Sequence, residues 1–167
     1  MSDPKISIAK TLIHEGGYQC SSSDPGNWTG GKEGVGELKG TKYGISAHEY
    51  PAEDIKNLTE DRAIQIYQEA YWKPHFSEIA SQAIADTLFD LGVMMGVGTA
   101  VKILQTVLNI PADGIFGPDT VARINGADAP SLLQAYKTGL VAHAIGVANG
   151  NPAERPYLVG WIRRINS

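Results

Sequence analysis

Glu15 is the residue whose type and position most suggest chemistry. It sits in His14-Glu15-Gly16-Gly17-Tyr18, at the carboxyl end of a predicted first helix and at the entrance to a polar loop. The helix dipole disfavours an anion at that end by roughly 0.3–1 kcal/mol, so a purely structural residue there is more often Lys or Arg. A carboxyl that keeps its proton can donate it to a leaving oxygen. Glycoside cleavage needs such an acid, with a second group that stabilises or hydrates the opposite face of the sugar. The competing reading is an exposed Glu beside a Gly cap.

The loop after Glu15 supplies candidates for the second group. Asp24, Glu33 and Glu37 are carboxylates, and Thr41 carries a hydroxyl that could hold water. Asp24 lies in Asp24-Pro25-Gly26, where its structural role would be to hydrogen-bond its own turn. Glu33 and Glu37 stand in a Gly-rich stretch and read as solvated, although a loop can carry a carboxylate into a cleft. Aromatic faces suit the apolar faces of pyranose rings, which makes Tyr18, Trp28, Tyr43, Tyr71 and Trp72 candidates for stacking. Tyr18 and Tyr43 flank the acid and the water-holding residues in sequence and are preferred. Tyr71 and Trp72 have helical neighbours that favour packing in a core.

Other chemistries find little support. His14, His48, His75 and His143 lack metalloprotease spacing and Cys partners, so neither a metal site nor a cofactor is expected. Cys20 is the single cysteine and reads as a free thiol, in a chain made in a reducing cytoplasm. A net charge of -4 argues against nucleic acid, whose phosphates need clustered Lys and Arg. It also withholds the broad basic field that would help adhesion to an anionic polymer, so affinity for one must come from a groove. No signal-peptide-like start and no run of roughly 20 apolar residues is present, and no membrane insertion is expected.

These residues need elements to position them. Ser2 or Asp3 can cap a first helix with Pro4 in its first turn and with Ile6, Ala9 and Ile13 on one face, Leu12 alongside. Gly16-Gly17 should end it. From Cys20 to about Tyr43 the pattern predicts a long loop holding at most a short β-hairpin. Thr59 should cap a helix running to about Trp72, where Pro74 forbids continuation. A longer apolar helix should carry Ile79, Ile84, Leu88 and Leu91, and another Val97, Val101, Leu104 and Leu108, forming the centre of the core. Asp113-Gly114 predicts a tight turn before a helix starting at Pro118. Two further helices are expected around Ser131 to Ala148 and Glu154 to Ile165. The fold class is α+β and predominantly α-helical. At 167 residues with 43% hydrophobic and 19% charged residues, the chain is long enough to bury its own core.

The order of these motifs carries a resemblance. Glu15-Gly-Gly-Tyr18, Asp24-Pro-Gly26, Thr41-Lys-Tyr-Gly-Ile-Ser46, Ile66-Tyr67 and Tyr71-Trp72 together resemble glycoside hydrolase family 108, the N-acetylmuramidases of phage endolysins and related bacterial proteins. Phe89-Asp90, Leu104-Gln105 and Ala112 to Thr120 are similar to that family's C-terminal peptidoglycan-binding segment. The resemblance implies a lysozyme-like fold, with the family's Glu falling on Glu15. It implies cleavage between N-acetylmuramic acid and N-acetylglucosamine. The order Glu15, Asp24, Thr41 is also similar to the Glu, Asp, Thr set of phage-type lysozymes, in which Asp and Thr position the attacking water. In this chain Met94 follows Phe89-Asp90-Leu-Gly-Val93 where the family commonly shows Asn, and a Gly-rich insertion runs from Trp28 to Gly40.

The resulting expectation is a catalytic region over residues 1–92 and a peptidoglycan-binding-like helical region over 93–167, packed as one compact unit. Glu15, Asp24 and Thr41 are the expected catalytic residues, and Tyr18, Tyr43, Trp28, Asp113 and Phe116 the substrate-binding ones. Bacterial peptidoglycan is the expected partner of a monomer, which is synthesised in a host cytoplasm and reaches the wall through a holin or another export route. Two alternatives remain at this level: a lytic transglycosylase acting on the same bond, and a non-catalytic wall-binding module.

Overall fold

A computed structural model describes residues 1–167. It contains seven α-helices: α1 (Pro4–Glu15), α2 (Glu60–Tyr71), α3 (Gln82–Met95), α4 (Val97–Val107), α5 (Pro118–Gly126), α6 (Ala129–Gly150) and α7 (Leu158–Asn166). One small antiparallel sheet pairs β1 (Thr41–Lys42) with β2 (Ile45–Ser46), in the register Thr41 to Ser46 and Lys42 to Ile45. The fold is therefore α+β and predominantly helical. No helix is long and apolar enough to cross a membrane. Packing divides the chain into two compact units, residues 8–70 and residues 1–7 with 71–167.

The first unit takes in most of α1, the polar loop, the hairpin and α2. Asp3 rather than Ser2 caps α1, its Oδ1 accepting from the Lys5 amide at 2.8 Å. The buried face of α1 is not the expected one. Ile8 and Leu12 are buried with Ser7 and Thr11, whereas Ile13 is 80% exposed and Ile6 is also exposed. The 3–4 spacing is present in both sets, and the polar Ser7 and Thr11 hid the true face from a reading of apolar residues alone. At α2 the expected cap forms, Thr59 Oγ1 accepting from the Arg62 amide at 3.2 Å. Ala63, Ile66 and Tyr67 are its buried residues.

In the larger unit, Phe76, Leu88, Leu91, Leu104, Tyr136 and Leu140 are central to one buried cluster. Ile79 belongs to that cluster but precedes α3, because a 3₁₀ turn over Phe76–Glu78 separates it from the helix. Trp72 packs its ring on Phe76 and Phe89, at centroid distances of 5.5 and 5.6 Å. Met94 packs against the same cluster, so the position departing from the family pattern serves as core. The expected helix from Glu154 is split: a 3₁₀ segment over Pro152–Tyr157 contains Pro156, and α7 begins after it. Asp90 and Arg164 form a bidentate pair at 2.9 Å, both largely buried, which ties α7 to α3.

Candidate active site

The carboxyl end of α1 and the β1–β2 turn meet at Glu15. Tyr43 and Gly44, the two turn residues, have φ of +53° and +72°. Positive φ at both positions is the signature of the tight hairpin turn whose twist matches the flanking strands. A β-carbon on Gly44 would lie 2.9 Å from Glu15 Oε2 and 2.6 Å from Tyr67 Oη. The Glu15 carboxyl and the Tyr67 hydroxyl thus occupy the space that a side chain at position 44 would need. Tyr67, buried on α2, donates its hydroxyl to the Tyr43 carbonyl at 2.9 Å and holds the turn in this position. Three segments of sequence thus converge on one carboxylate, which is itself half-buried.

A second cluster forms around Asn27, a polar side chain with no solvent exposure. Its Nδ2 donates to Gln19 Oε1 at 2.8 Å and to the Ser21 carbonyl at 2.9 Å. Its Oδ1 accepts from Thr41 Oγ1 at 2.8 Å and from Gln19 Nε2 at 3.0 Å. The same Gln19 Nε2 lies 3.0 Å from Asp24 Oδ2, and Asp24 Oδ1 accepts from the Gly26 amide at 2.9 Å. Gln19 and Thr41 also exchange backbone hydrogen bonds of 2.8 and 2.9 Å. Asp24 and Thr41 are thus brought into one network, spanned by Gln19 and Asn27. Asp24 also performs the turn-capping role that its Asp-Pro-Gly context predicts. A buried amide satisfied on every side fixes its neighbours, which makes Asn27 the organiser of the loop.

Neither Gln19 nor Asn27 was singled out in the sequence. The available signal was Asp24-Pro-Gly-Asn27, in which the final Asn has no need of burial unless something is hung from it. Tyr67 and Gly44 stand out in the sequence only as members of the Ile66-Tyr67 and Thr41-Lys-Tyr-Gly-Ile-Ser46 motifs.

The other aromatic candidates have mixed placements. Tyr18 is 40% exposed and lines a cleft of about 300 Å³ together with Leu38, Lys39, Glu53, Asp54 and Lys56. The neighbouring Cys20 thiol is the main influence holding the Tyr18 hydroxyl above its ordinary pKa, with desolvation second. Tyr43 stands at the turn beside Glu15, and Lys42 Nζ lies 5.3 Å from the centre of its ring. Trp28 is half-buried, and its indole N–H donates to the Ser22 carbonyl at 2.8 Å, so one edge of its ring is already engaged.

The insertion from Trp28 to Gly40 is internally bonded. Thr29 N donates to the Glu37 carbonyl at 2.9 Å, Gly30 N to the Val35 carbonyl at 3.1 Å, and Lys39 N and Gly40 N to the Asn27 carbonyl at 3.0 and 3.1 Å. Glu33 and Glu37 are exposed on it, and Glu37 lies 3.5 Å from Lys39. No group of three or more His, Cys, Asp or Glu side chains is arranged to hold a metal ion.

In the larger unit, the Asp113–Thr120 turn is organised by Gln105, which is 2% exposed. Gln105 Nε2 donates to Asp113 Oδ1 at 2.8 Å and to the Ile115 carbonyl at 3.1 Å, and Oε1 accepts from the Gly114 amide at 2.9 Å. Asp113 Oδ1 also accepts from the Ile115 amide at 2.8 Å. That backbone bond, followed by the Gln105 amide, holds the Asp113 carboxyl below the usual carboxylate range. Phe116 packs edge-on against Phe76 at 4.7 Å and so belongs with the core face of this turn, while Asp113 is exposed.

Gly114 has φ of +79°, and a β-carbon there would lie 3.0 Å from Lys102 Cε and 3.1 Å from the Gly98 carbonyl. Gly114→Val is expected to cost about 2 kcal/mol, since a β-branched residue in this region is strained. For a chain of this size that lowers the melting temperature by about 4–8 °C. Calorimetry checks this, and an unchanged melting temperature would contradict it.

Comparison with known proteins matches two successive stretches of the chain. A family profile described as glycosyl hydrolase 108 matches residues 8–96, and one described as a predicted peptidoglycan domain matches residues 99–166. Among solved structures, SagA of Brucella abortus is similar at 23% identity with a TM-score of 0.69, over 98% of this chain and 89% of that one. At that identity the likeness concerns the fold. No curated relative matches the chain.

Proposed function

Since the chain belongs to glycosyl hydrolase family 108 and carries a peptidoglycan domain, we propose that this glycoside hydrolase is a muramidase. It hydrolyses the β-1,4 bond between N-acetylmuramic acid and N-acetylglucosamine, with Glu15 as general acid. The observation that carries the reading is the contact of the Glu15 carboxyl with the Tyr43-Gly44 turn. The carboxyl at this helix end lies where a side chain on Gly44 would be, beside a turn whose Tyr43 carbonyl accepts from the buried Tyr67. Asp24 and Thr41, joined through Gln19 and Asn27, are the groups proposed to hold the attacking water. Tyr18 and Tyr43 would contact the sugars. Within this proposal residues 1–92 supply the chemistry and residues 93–167 the attachment to the wall.

Mass spectrometry of digested peptidoglycan tests the reaction. Reducing muramic acid ends are expected. Anhydro ends would identify a transglycosylase, and binding without released fragments would identify an attachment module. The proposed setting is synthesis in a cytoplasm followed by holin-dependent or other export to the wall, with a monomer as the acting species. Fusion of the intact protein to an export signal, compared with the bare chain for lysis from within, checks that setting.

The water-holding pair implies inversion, which requires carboxyl groups about 6.5–9.5 Å apart, against roughly 5–5.5 Å for a direct carboxylate attack. Proton NMR of the first product should show the α-anomer from the β-linked substrate, and a β-anomer would refute this. Asp24→Asn keeps the acceptor that caps the 3₁₀ turn while removing the charge. It is expected to lower the rate by about tenfold, less than the ~100-fold typical of losing a lone general base, because Thr41 shares the water. A variant with full rate would reduce Asp24 to its turn-capping role.

A further inference from the structure

Beside the Asp113–Thr120 turn lies a crevice of about 590 Å³, within the range of roughly 300–1,000 Å³ usual for small-ligand clefts. Charges of both signs line it. Asp113, Asp119 and Arg123 are among its lining residues, and Asp119 and Arg123 are one helical turn apart on α5. Ile110 and Ile115 supply apolar wall, and Ile115 is 70% exposed although it lies next to the core-facing Phe116. The crevice is preformed, because Gln105 holds both the Gly114 amide and the Asp113 carboxylate from beneath. Gln105 Nε2 and the Ile115 amide both bond Oδ1 of Asp113, and the charge of Lys102 also acts on this carboxylate. No side-chain hydrogen bond or ion pair engages Asp119 or Arg123.

A neutral saccharide would leave these charges unanswered. A short peptide bearing a free ammonium and a free carboxylate would answer both, with its methyl groups against the apolar wall. We propose that this crevice binds the stem-peptide portion of the wall polymer, its ammonium at Asp113 and Asp119 and its terminal carboxylate at Arg123. The proposal rests on the reading of the chain as a wall-acting hydrolase and adds the chemical class that its C-terminal part recognises. The enzyme would then be directed to strands that carry peptides, and stripped glycan would be a poorer target.

The test is calorimetric binding of the full chain to three synthetic stem tetrapeptides. One has a free side-chain amine and a free C-terminal carboxylate, one is N-acetylated on that amine, and one is amidated at the C-terminus. The unmodified peptide is expected to bind about fivefold more tightly than either blocked form, the value of one exposed ion pair. Arg123→Gln should abolish the preference for acid over amide while keeping the preference for amine. Asp119→Asn should weaken the preference for amine alone. Both side chains are exposed, so the variants keep the fold, which circular dichroism verifies. Equal binding of the three peptides by the wild type, no binding of any, or displacement of the peptide by peptide-free glycan chains would overturn the assignment. Release of saccharide ends from whole walls is measured on the same preparations. Release without peptide discrimination overturns the crevice assignment alone, and discrimination without release overturns the hydrolase reading alone.

Discussion

Glu15→Gln is expected to leave the protein folded and to lower wall hydrolysis by at least about a hundredfold, the low end of what a positioned general acid contributes. The amide preserves the shape of the side chain against Gly44 and Tyr67 and removes only the transferable proton. Turbidity loss of purified wall suspensions, followed for wild type and variant side by side, reads the effect, with matched melting curves as the control for folding. The binding of wall fragments should be unchanged, because the C-terminal turn built on Gln105 is separate in sequence and internally bonded. Activity within a few-fold of wild type would remove Glu15 from the mechanism. Another carboxylate of the loop would then have to be the acid.

The second large effect concerns a residue with no side chain. Gly44→Ala would place a methyl carbon 2.6 Å from Tyr67 Oη and 2.9 Å from Glu15 Oε2, closer than carbon and oxygen approach without a shift. A misplacement of about 1 Å in a catalytic group can cost roughly a hundredfold in rate, and that loss is expected here. Left-handed backbone at a residue with a β-carbon adds roughly 1–2 kcal/mol of destabilisation. Rates are therefore compared at a temperature where circular dichroism shows the variant to be folded. A milder companion is Tyr67→Phe, which deletes the hydroxyl bonded to the Tyr43 carbonyl at 2.9 Å and keeps the ring in the core. Loss of one such bond costs about 1 kcal/mol, and a fall of about tenfold in kcat with little change in KM is expected if the turn positions the acid. If folded Gly44→Ala retains full kcat, the hairpin turn does not control the position of the acid.

Several features of this protein are local and were legible in the residues. Pro4 with Asp3, Thr59 before Glu60-Asp61, and Gly117-Pro118 mark helix starts because capping and proline geometry act within four residues. Glu15 before Gly16-Gly17 marks a carboxylate at a helix end for the same reason. The apolar spacing of Leu88, Leu91, Val101 and Leu104 announced the core helices. The motifs sufficed to identify the family through their shared order along the chain, since no single short stretch among them is specific.

Tertiary structure decided what rests on closure of the chain. The buried face of α1 includes Ser7 and Thr11, and no apolar count distinguishes a polar residue facing the interior from one facing water. Asn27 and Gln19 look like ordinary loop residues until the loop closes on Thr41 and makes them the centre of a network. Gly44 and Tyr67 lie 29 and 52 positions after Glu15 in sequence, yet the three share one point in space. The bond of the Trp28 indole to Ser22 and the packing of Phe116 on Phe76 likewise depend on the folded chain. Local sequence determined the chemical groups and the ends of the elements that carry them. Which groups meet was set by hydrogen bonds and glycine approaches between distant segments, and these depend on shapes that only the folded chain possesses.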